Sequence, residues 1–261
     1  MSTRETVSET FEKYPENVES GVTNGEDGDA PRFTTWCRTR AQPNWTGATE
    51  HRFTEQLHAG TLDDDVFRRY LVQDYAFLEM LVGTFDHALG DAPSMASKSR
   101  LTDFLGTITG DENDYFERSF EALDVPDIDR TDPALHPVTR ALQDLLGRAS
   151  REGGYAETLA VLVPAEWIYR TWAETERAEA PERDYLAEWI ALHDTPAFDE
   201  FVSWLRTELD REGAAASQRR QERLARLFGR TVELEVAFFD AAFQPEDDEM
   251  ETAVMGGDGP W

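Results

Sequence analysis

The feature that most constrains the fold is a helical spacing of apolar residues that continues for about 210 residues, from 32 to 243. Within 63–89, for example, apolar side chains recur three or four residues apart, which places them on one face of an α-helix. Similar patterns predict helices at 101–123, 137–147, 156–176, 184–193, 196–211 and 216–243. No strand hairpin, internal repeat or glycine-rich phosphate loop accompanies them. The sequence therefore predicts an all-α protein, built as a single multi-helix bundle domain.

Two acidic segments flank this predicted domain. Residues 1–31 and 244–261 are polar and lack a helical apolar period, so we expect two disordered tails. The opening residues, MSTRETVSETFEKYPEN, lack the basic and apolar regions of a secretory signal. No apolar run approaches the roughly 18 residues that a membrane span requires. The sequence thus predicts a cytoplasmic protein with no membrane partner.

The charge of the chain is strongly one-sided. It has 53 acidic and 25 basic residues, a net charge of -28, and only Lys13 and Lys98 as lysines. This composition favours adaptation to a salt-rich medium, where ions screen repulsion; a surface for a cationic partner is the alternative. It offers no basic footprint, so no nucleic-acid partner is expected. The single cysteine, Cys37, excludes an internal disulfide and a cysteine-rich zinc site.

Four acidic residues interrupt the apolar faces of different predicted helices: Asp74, Glu112, Glu166 and Glu235. Each lies three or four residues from apolar neighbours, so helical geometry turns it inward. A buried carboxylate is costly unless it is paired, and a salt bridge to an arginine would explain any one of them. Inward acids from several helices indicate instead a polar cavity within the bundle, where at least one carboxyl should have a raised pKa.

Pro164 lies inside the most apolar predicted helix, two residues before Glu166. Because proline has no N–H, we expect a kink there that opens space beside the acid. Trp167, Tyr169 and Trp172 follow in the same helix. Rings and acids together suit a flat, nitrogen-rich heteroaromatic ligand, whereas each ring taken singly is also typical of core packing.

Several inward acids are also compatible with a di-iron site, which needs Glu-x-x-His pairs on two facing helices. The chain has one such pair, Glu55 and His58. Its other acid–histidine pairs are adjacent residues, which point about 100° apart on a helix. We therefore predict no metal site and no cofactor, and a metal oxidase is the weakest alternative.

Four segments, in order, resemble the TenA/thiaminase II family, whose fold is a haem-oxygenase-like helical bundle. They are HRFTEQLHAGTLDDDVFRRYLVQDYAFLEML, AETLAVLVPAEWIYRTW, YLAEWIALH and ELEVAFFDAAF, and the resemblance spans roughly residues 50–243. Members hydrolyse aminopyrimidines in thiamin salvage, and some cleave thiamin itself. The resemblance implies a hydrolase acting on a small pyrimidine, in a homo-oligomer for which a tetramer is the default expectation.

The resemblance also implies roles for individual residues. Asp74 matches the acid that grips the pyrimidine amino group, and Glu235 matches the acid that protonates the leaving group. Tyr169 matches a pocket tyrosine, and Phe77 a second pocket aromatic. His193 stands where the family has another pocket tyrosine, although a solvent-facing helix end is an equally good interpretation of its position.

The chain departs from the family at the nucleophile. Ala165 occupies the place of the family cysteine, and alanine cannot form a covalent intermediate. Cys37 lies far upstream and matches no motif. We therefore predict hydrolysis by water, with carboxylate acid–base catalysis from Glu235 and Glu166. Glu166 directly follows Ala165, however, and successive residues on a helix point in different directions. Glu112 is predicted to contact the substrate, and a non-catalytic ligand-binding or regulatory protein is the main alternative.

The charge leads to a first prediction. Because a net charge of -28 repels itself until ions screen it, the melting temperature should rise as KCl is raised from low to molar concentration. Thermal unfolding at fixed pH measures this. A melting temperature that stays constant or falls over that range would contradict the interpretation of the charge.

Overall fold

The computed structural model describes residues 32–175 and 180–244, together with residue 11. Every regular element in these ranges is helical, so the predicted all-α fold is confirmed. The helices are α1 (Phe33–Arg40), α2 (Asn44–Thr49), α3 (Arg52–His58), α4 (Asp64–Asp91), α5 (Met95–Thr107), α6 (Asn113–Ala122), α7 (Asp127–Thr131), α8 (Pro137–Glu152), α9 (Tyr155–Ala173), α10 (Asp184–His193), α11 (Pro196–Ala215) and α12 (Gln218–Ala241). A π-helical turn, Ile108–Glu112, joins α5 to α6.

The predicted tails, 1–31 and 244–261, lie outside the described residues except for Phe11 and Gln244. Phe11 is buried, and its ring lies 5.3 Å from that of Phe33 and 5.8 Å from that of Trp36. One residue of the N-terminal segment therefore packs on the first helix of the bundle.

The predicted helix at 101–123 differs most from the structure. The observed helix, α5, begins at Met95, because the Ser94 hydroxyl accepts a hydrogen bond from the Ser97 N–H at 3.0 Å and caps the helix. It is also interrupted by the π-helical turn, which a regular apolar period does not reveal. Helices α1, α2, α3 and α7 were missed altogether. None of these four exceeds eight residues, which is too short to show a clear period.

Helix α9 is the centre of the bundle. Its residues from Tyr155 to Ile168 are all buried, and it packs against α4, α8, α11 and α12. The helix continues through Pro164, whose missing N–H leaves the Ala160 carbonyl without its helical partner; the expected kink stays a prediction. Within the described residues no helix, α9 included, has the length and apolarity that crossing a membrane requires.

Gly213 marks a close approach of α11 to α1, because a Cβ at this position would overlap the buried Phe33 ring. We predict that Gly213→Ala lowers the free energy of unfolding by about 1–3 kcal/mol through overpacking. Gly229→Ala is the matched control in α12, where a Cβ meets nothing within 4 Å. It should raise stability by about 0.5–1 kcal/mol, since alanine favours helix. Urea unfolding that gives the two variants the same sign would contradict this packing.

Candidate active site

A cavity of about 370 Å³ lies beside α9 and is walled by α4, α5, the π-helical turn, α10, α11 and α12. Ala165 also lines it. The structure brings together in this cavity all seven residues singled out from the sequence, which are Asp74, Phe77, Glu112, Glu166, Tyr169, His193 and Glu235. We call its four acids, Asp74, Glu112, Glu166 and Glu235, the carboxyl cluster.

The carboxyl cluster has no arginine or lysine partner among the described residues. Two other buried acids show what such a partner does. Arg220 donates to Glu157 at 2.7 Å, and Arg211 donates to Glu208 at 2.6 Å. The pKa of Glu157 is lowered: burial raises it, but the hydrogen bonds and charge of Arg220 outweigh the burial. Salt bridges to arginine therefore explain why Glu157 and Glu208 are tolerated in buried positions, but they do not explain the carboxyl cluster.

Asp74 is held by two tyrosines. It projects from α4 one turn after Tyr70, and the Tyr70 hydroxyl is hydrogen-bonded to that of Tyr169 on α9 at 2.9 Å. Burial raises the pKa of Asp74 to about 7, and hydrogen bonding with the Tyr70–Tyr169 pair opposes the rise. Tyr70 is fully buried, and sequence analysis took it only as part of an apolar face because periodicity does not show where a hydroxyl points.

The other three cluster acids keep their protons more strongly. Burial, followed by the charge of Asp74, raises the pKa of Glu112 and of Glu235 to about 8. Burial raises the pKa of Glu166 well above its usual range, and the charges of Glu112, Glu235 and Asp74 raise it further. Near pH 7 the ligand-free cluster therefore contains carboxylic acids that can donate protons, which confirms the expectation of a raised pKa.

His193 faces the cavity and not the solvent. It is buried, and its Nδ1 lies 2.9 Å from the Trp189 carbonyl oxygen. Burial lowers its pKa to about 4, so the ring is neutral near pH 7. Because only an N–H can pair with a carbonyl, Nδ1 carries the proton and Nε2 is an acceptor.

Trp189 is a lining residue that sequence analysis did not single out. Its indole Nε1 is buried and has no hydrogen-bond partner. Its position in the segment YLAEWIALH, one helical turn before His193, is the sequence feature that could have identified it as a lining residue.

Two of the three rings expected beside the ligand do not line the cavity. Trp167 packs 4.6 Å from Trp45, with the Arg206 guanidinium 3.7 Å from its own ring. Trp172 is buried with its ring 5.5 Å from that of Tyr169. The prediction was wrong for both tryptophans, because residues along α9 point in different directions and only Tyr169 shares the cavity face.

The residues considered for metal binding are dispersed. Glu55 is exposed, and His58 Nε2 lies 2.9 Å from the Trp172 carbonyl oxygen, outside the cavity lining. In the described ranges, no group of three or more His, Cys, Asp or Glu residues is placed to hold a metal ion. Cys37 is buried in α1, also away from the cavity lining, and burial raises the pKa of its thiol well above its usual range.

Comparison with known proteins gives the family. The model of the TENA/THI-4/PQQC family matches residues 38–244. The chain belongs to this family. An aminopyrimidine aminohydrolase from Halalkalibacterium halodurans is 25% identical over 211 residues, which cover 78% of this chain and 92% of the relative. The aminopyrimidine aminohydrolase from Helicobacter pylori is 24% identical over 206 residues, which cover 78% of this chain and 95% of the relative.

A TenA homologue from P. horikoshii OT3 has the same architecture. It superposes with a TM-score of 0.73 at 23% identity, covering 82% of this chain and 99% of that chain. This likeness confirms the predicted haem-oxygenase-like fold for a TENA/THI-4/PQQC protein.

The cluster leads to a pH prediction. Unfolded carboxyls titrate near pH 4, whereas these carboxyls keep protons in the fold up to about pH 7–8. The folded state therefore binds more protons in this window, and the stability of the ligand-free protein should fall as pH rises from about 6 to 8.5. Urea unfolding at several pH values and at high salt measures the slope.

Substitutions assign that slope to the cluster. Glu235→Gln should flatten it, because one titrating group is removed, while Glu121→Gln, exposed on α6, should leave it unchanged. Stability that is constant or rises between about pH 6 and 8.5 would mean that the cluster is ionised in the ligand-free fold.

Proposed function

We propose that the chain is an aminopyrimidine hydrolase of thiamin salvage, which uses water to break the bond between a ring-attached methylene carbon and an amine nitrogen. The named relatives support the substrate class. The observation that carries the proposal is the carboxyl cluster: four unpaired acids face one cavity, and most hold their protons near neutral pH. A purely structural cavity would not need them.

The substrate ring lies against Phe77 and Tyr169, whose rings line the cavity. Asp74, fixed by Tyr70 and Tyr169, accepts hydrogen bonds from the amino edge of the pyrimidine. The acceptor Nε2 of His193 binds a further N–H of the ring substituents. These contacts orient the methylene carbon toward the remaining acids.

Glu235 acts as the general acid. As the C–N bond breaks, its electron pair goes to the nitrogen, and Glu235 supplies the proton that this pair takes up. The oxygen of water forms the new bond to the methylene carbon, and an ionised Glu166 accepts the proton of that water. The products are a hydroxymethylpyrimidine and ammonia, which solvent protonates. Because alanine has no nucleophilic group, a covalent route is impossible at Ala165.

The assembly and partners follow from the same proposal. The partner is a small pyrimidine, with no nucleic acid, and the protein is a homo-oligomer with a tetramer expected. A ligand-binding or regulatory protein would share the cavity, but binding alone would not require carboxylic acids that keep their protons near neutral pH.

Substitution of Glu235 tests the catalytic role. Glu235→Gln should keep the fold and lower kcat by about 100-fold or more, the usual effect of removing a general acid. Asp74→Asn should mainly raise KM, because it weakens the grip on the amino edge. Ammonia release from an aminomethylpyrimidine measures both. Cys37→Ala, remote from the cavity, should leave kcat unchanged.

The same assay separates the alternatives. Undiminished turnover by Glu235→Gln would contradict the assignment of the acid. Tight pyrimidine binding with no ammonia release by the wild type would identify a binding protein. If Glu235 were in a structural ion pair, its substitution would instead lower stability by about 3–5 kcal/mol through the unpaired arginine.

A further inference from the structure

Glu112 is a cluster acid that the proposed proton transfers do not use. It ends the π-helical turn Ile108–Glu112 and lines the cavity. Glu166 lines the same cavity, and the charge of Glu112 is one cause of its raised pKa. Turns of this kind are frequent at functional sites. The fold therefore places a second acid in the cavity of the one that must activate water.

Glu166 has no stabilising counter-charge among the described residues while the cavity is empty. A base must be ionised, and burial together with the neighbouring negative charges raises the pKa of Glu166 well above its usual range. The groups facing it offer no positive charge to reverse this: Asp74 from α4, Glu112 from the π-helical turn, Tyr169 from α9, neutral His193 from α10 and Glu235 from α12.

A positive charge that could stabilise ionised Glu166 is found among the described lining residues only at the exposed edge of the cavity. Arg100 and Asp103, both exposed on α5, line the outer part of the cavity, and Arg100 lies 3.4 Å from the Glu200 carbonyl oxygen. Arg100 is not among the charges that shift any cluster acid. The positive charge that ionises Glu166 must therefore come with the ligand.

We propose that Glu112 determines substrate specificity by binding, together with Glu166, the ammonium form of the substrate amine. This inference rests on the proposed hydrolysis. The ammonium charge stabilises the carboxylate of Glu166, whose proton passes to solvent when the substrate binds. The substrate itself thus converts Glu166 from an acid to the base that the reaction needs. A free primary amine activates the site, whereas an N-acylated amine, which is neutral, does not.

The step balances in atoms and charge. The bound ammonium substrate, one water, the Glu235 acid and the Glu166 carboxylate give the hydroxymethylpyrimidine, an ammonium ion, the Glu235 carboxylate and the Glu166 acid. The C–N electron pair goes to the departing nitrogen, which takes the Glu235 proton. No oxidant, reductant or metal is consumed.

The first test compares two substrates. The kcat/KM of Glu112→Gln for an aminomethylpyrimidine should fall by at least about 10-fold, and that for its N-acetyl derivative should change by less than about 2-fold. Glu117→Gln, exposed on α6 and outside the cavity, is the matched control and should leave both values unchanged. An equal loss on both substrates would overturn the role of Glu112 while leaving the hydrolase proposal intact.

The second test needs no variant and decides the matter if Glu112→Gln fails to fold. Titration calorimetry of the wild type at pH 7, in two buffers of different ionisation enthalpy, counts the protons released on binding. The probes are an aminoethyl homologue, whose C–N bond the ring does not activate, and the neutral hydroxymethylpyrimidine. We expect a release approaching one proton for the amine and none for the alcohol.

The outcomes separate the two proposals. Equal proton release with both probes, or none with the amine, overturns the ionisation of Glu166 by substrate. Absence of turnover with every pyrimidine overturns the hydrolase proposal itself. That result comes from the activity assay and is independent of the calorimetry.

Discussion

Three buried carboxyl groups and the half-buried Glu112 around one cavity, without a cation among the described residues to pair them, are the constraint on which the rest of the structure depends. An ionised carboxylate removed from water costs several kcal/mol. The protein limits that cost in two ways. Hydrogen bonding with the Tyr70–Tyr169 pair stabilises the carboxylate of Asp74, whose pKa is raised only to about 7, while Glu112 and Glu235, with pKa values raised to about 8, keep their protons at neutral pH. The same arrangement that avoids the cost yields acids ready to donate at neutral pH.

The apolar packing of α9 makes such an arrangement tolerable. This helix is buried nearly along its whole length and packs against α4, α8, α11 and α12, so it stabilises the bundle independently of the cavity. It also presents Glu166 and Tyr169 to the cavity, while α4 presents Asp74 and α12 presents Glu235. The contrast with Glu157, whose pKa is lowered by Arg220, shows that the partner and not the residue type decides between a structural and a chemical carboxyl.

Periodicity predicted those parts of the fold and site that depend on which face of a helix a residue occupies. It gave the long helices and the inward direction of Asp74, Glu166 and Glu235, because a period of 3.6 residues fixes direction. It failed where contacts depend on orientation or on distant partners. The hydroxyl of Tyr70, the free indole N–H of Trp189 and the outward packing of Trp167 are set by tertiary packing. The π-helical turn also escaped, since its extra residue per turn leaves no apolar signature.

Direct titration of the buried carboxyls tests the central claim, that they hold their protons near neutral pH. Infrared difference spectroscopy of the ligand-free protein follows the C=O band of protonated carboxyl groups as pH is raised from about 6 to 9. We predict that this band is present at the lower pH and decreases through about pH 7–8 as Asp74, Glu112 and Glu235 ionise, and that Glu235→Gln loses part of the change. A spectrum with no carboxyl titrating above about pH 6 would contradict the account, because the cluster would then be fully ionised without a counter-charge.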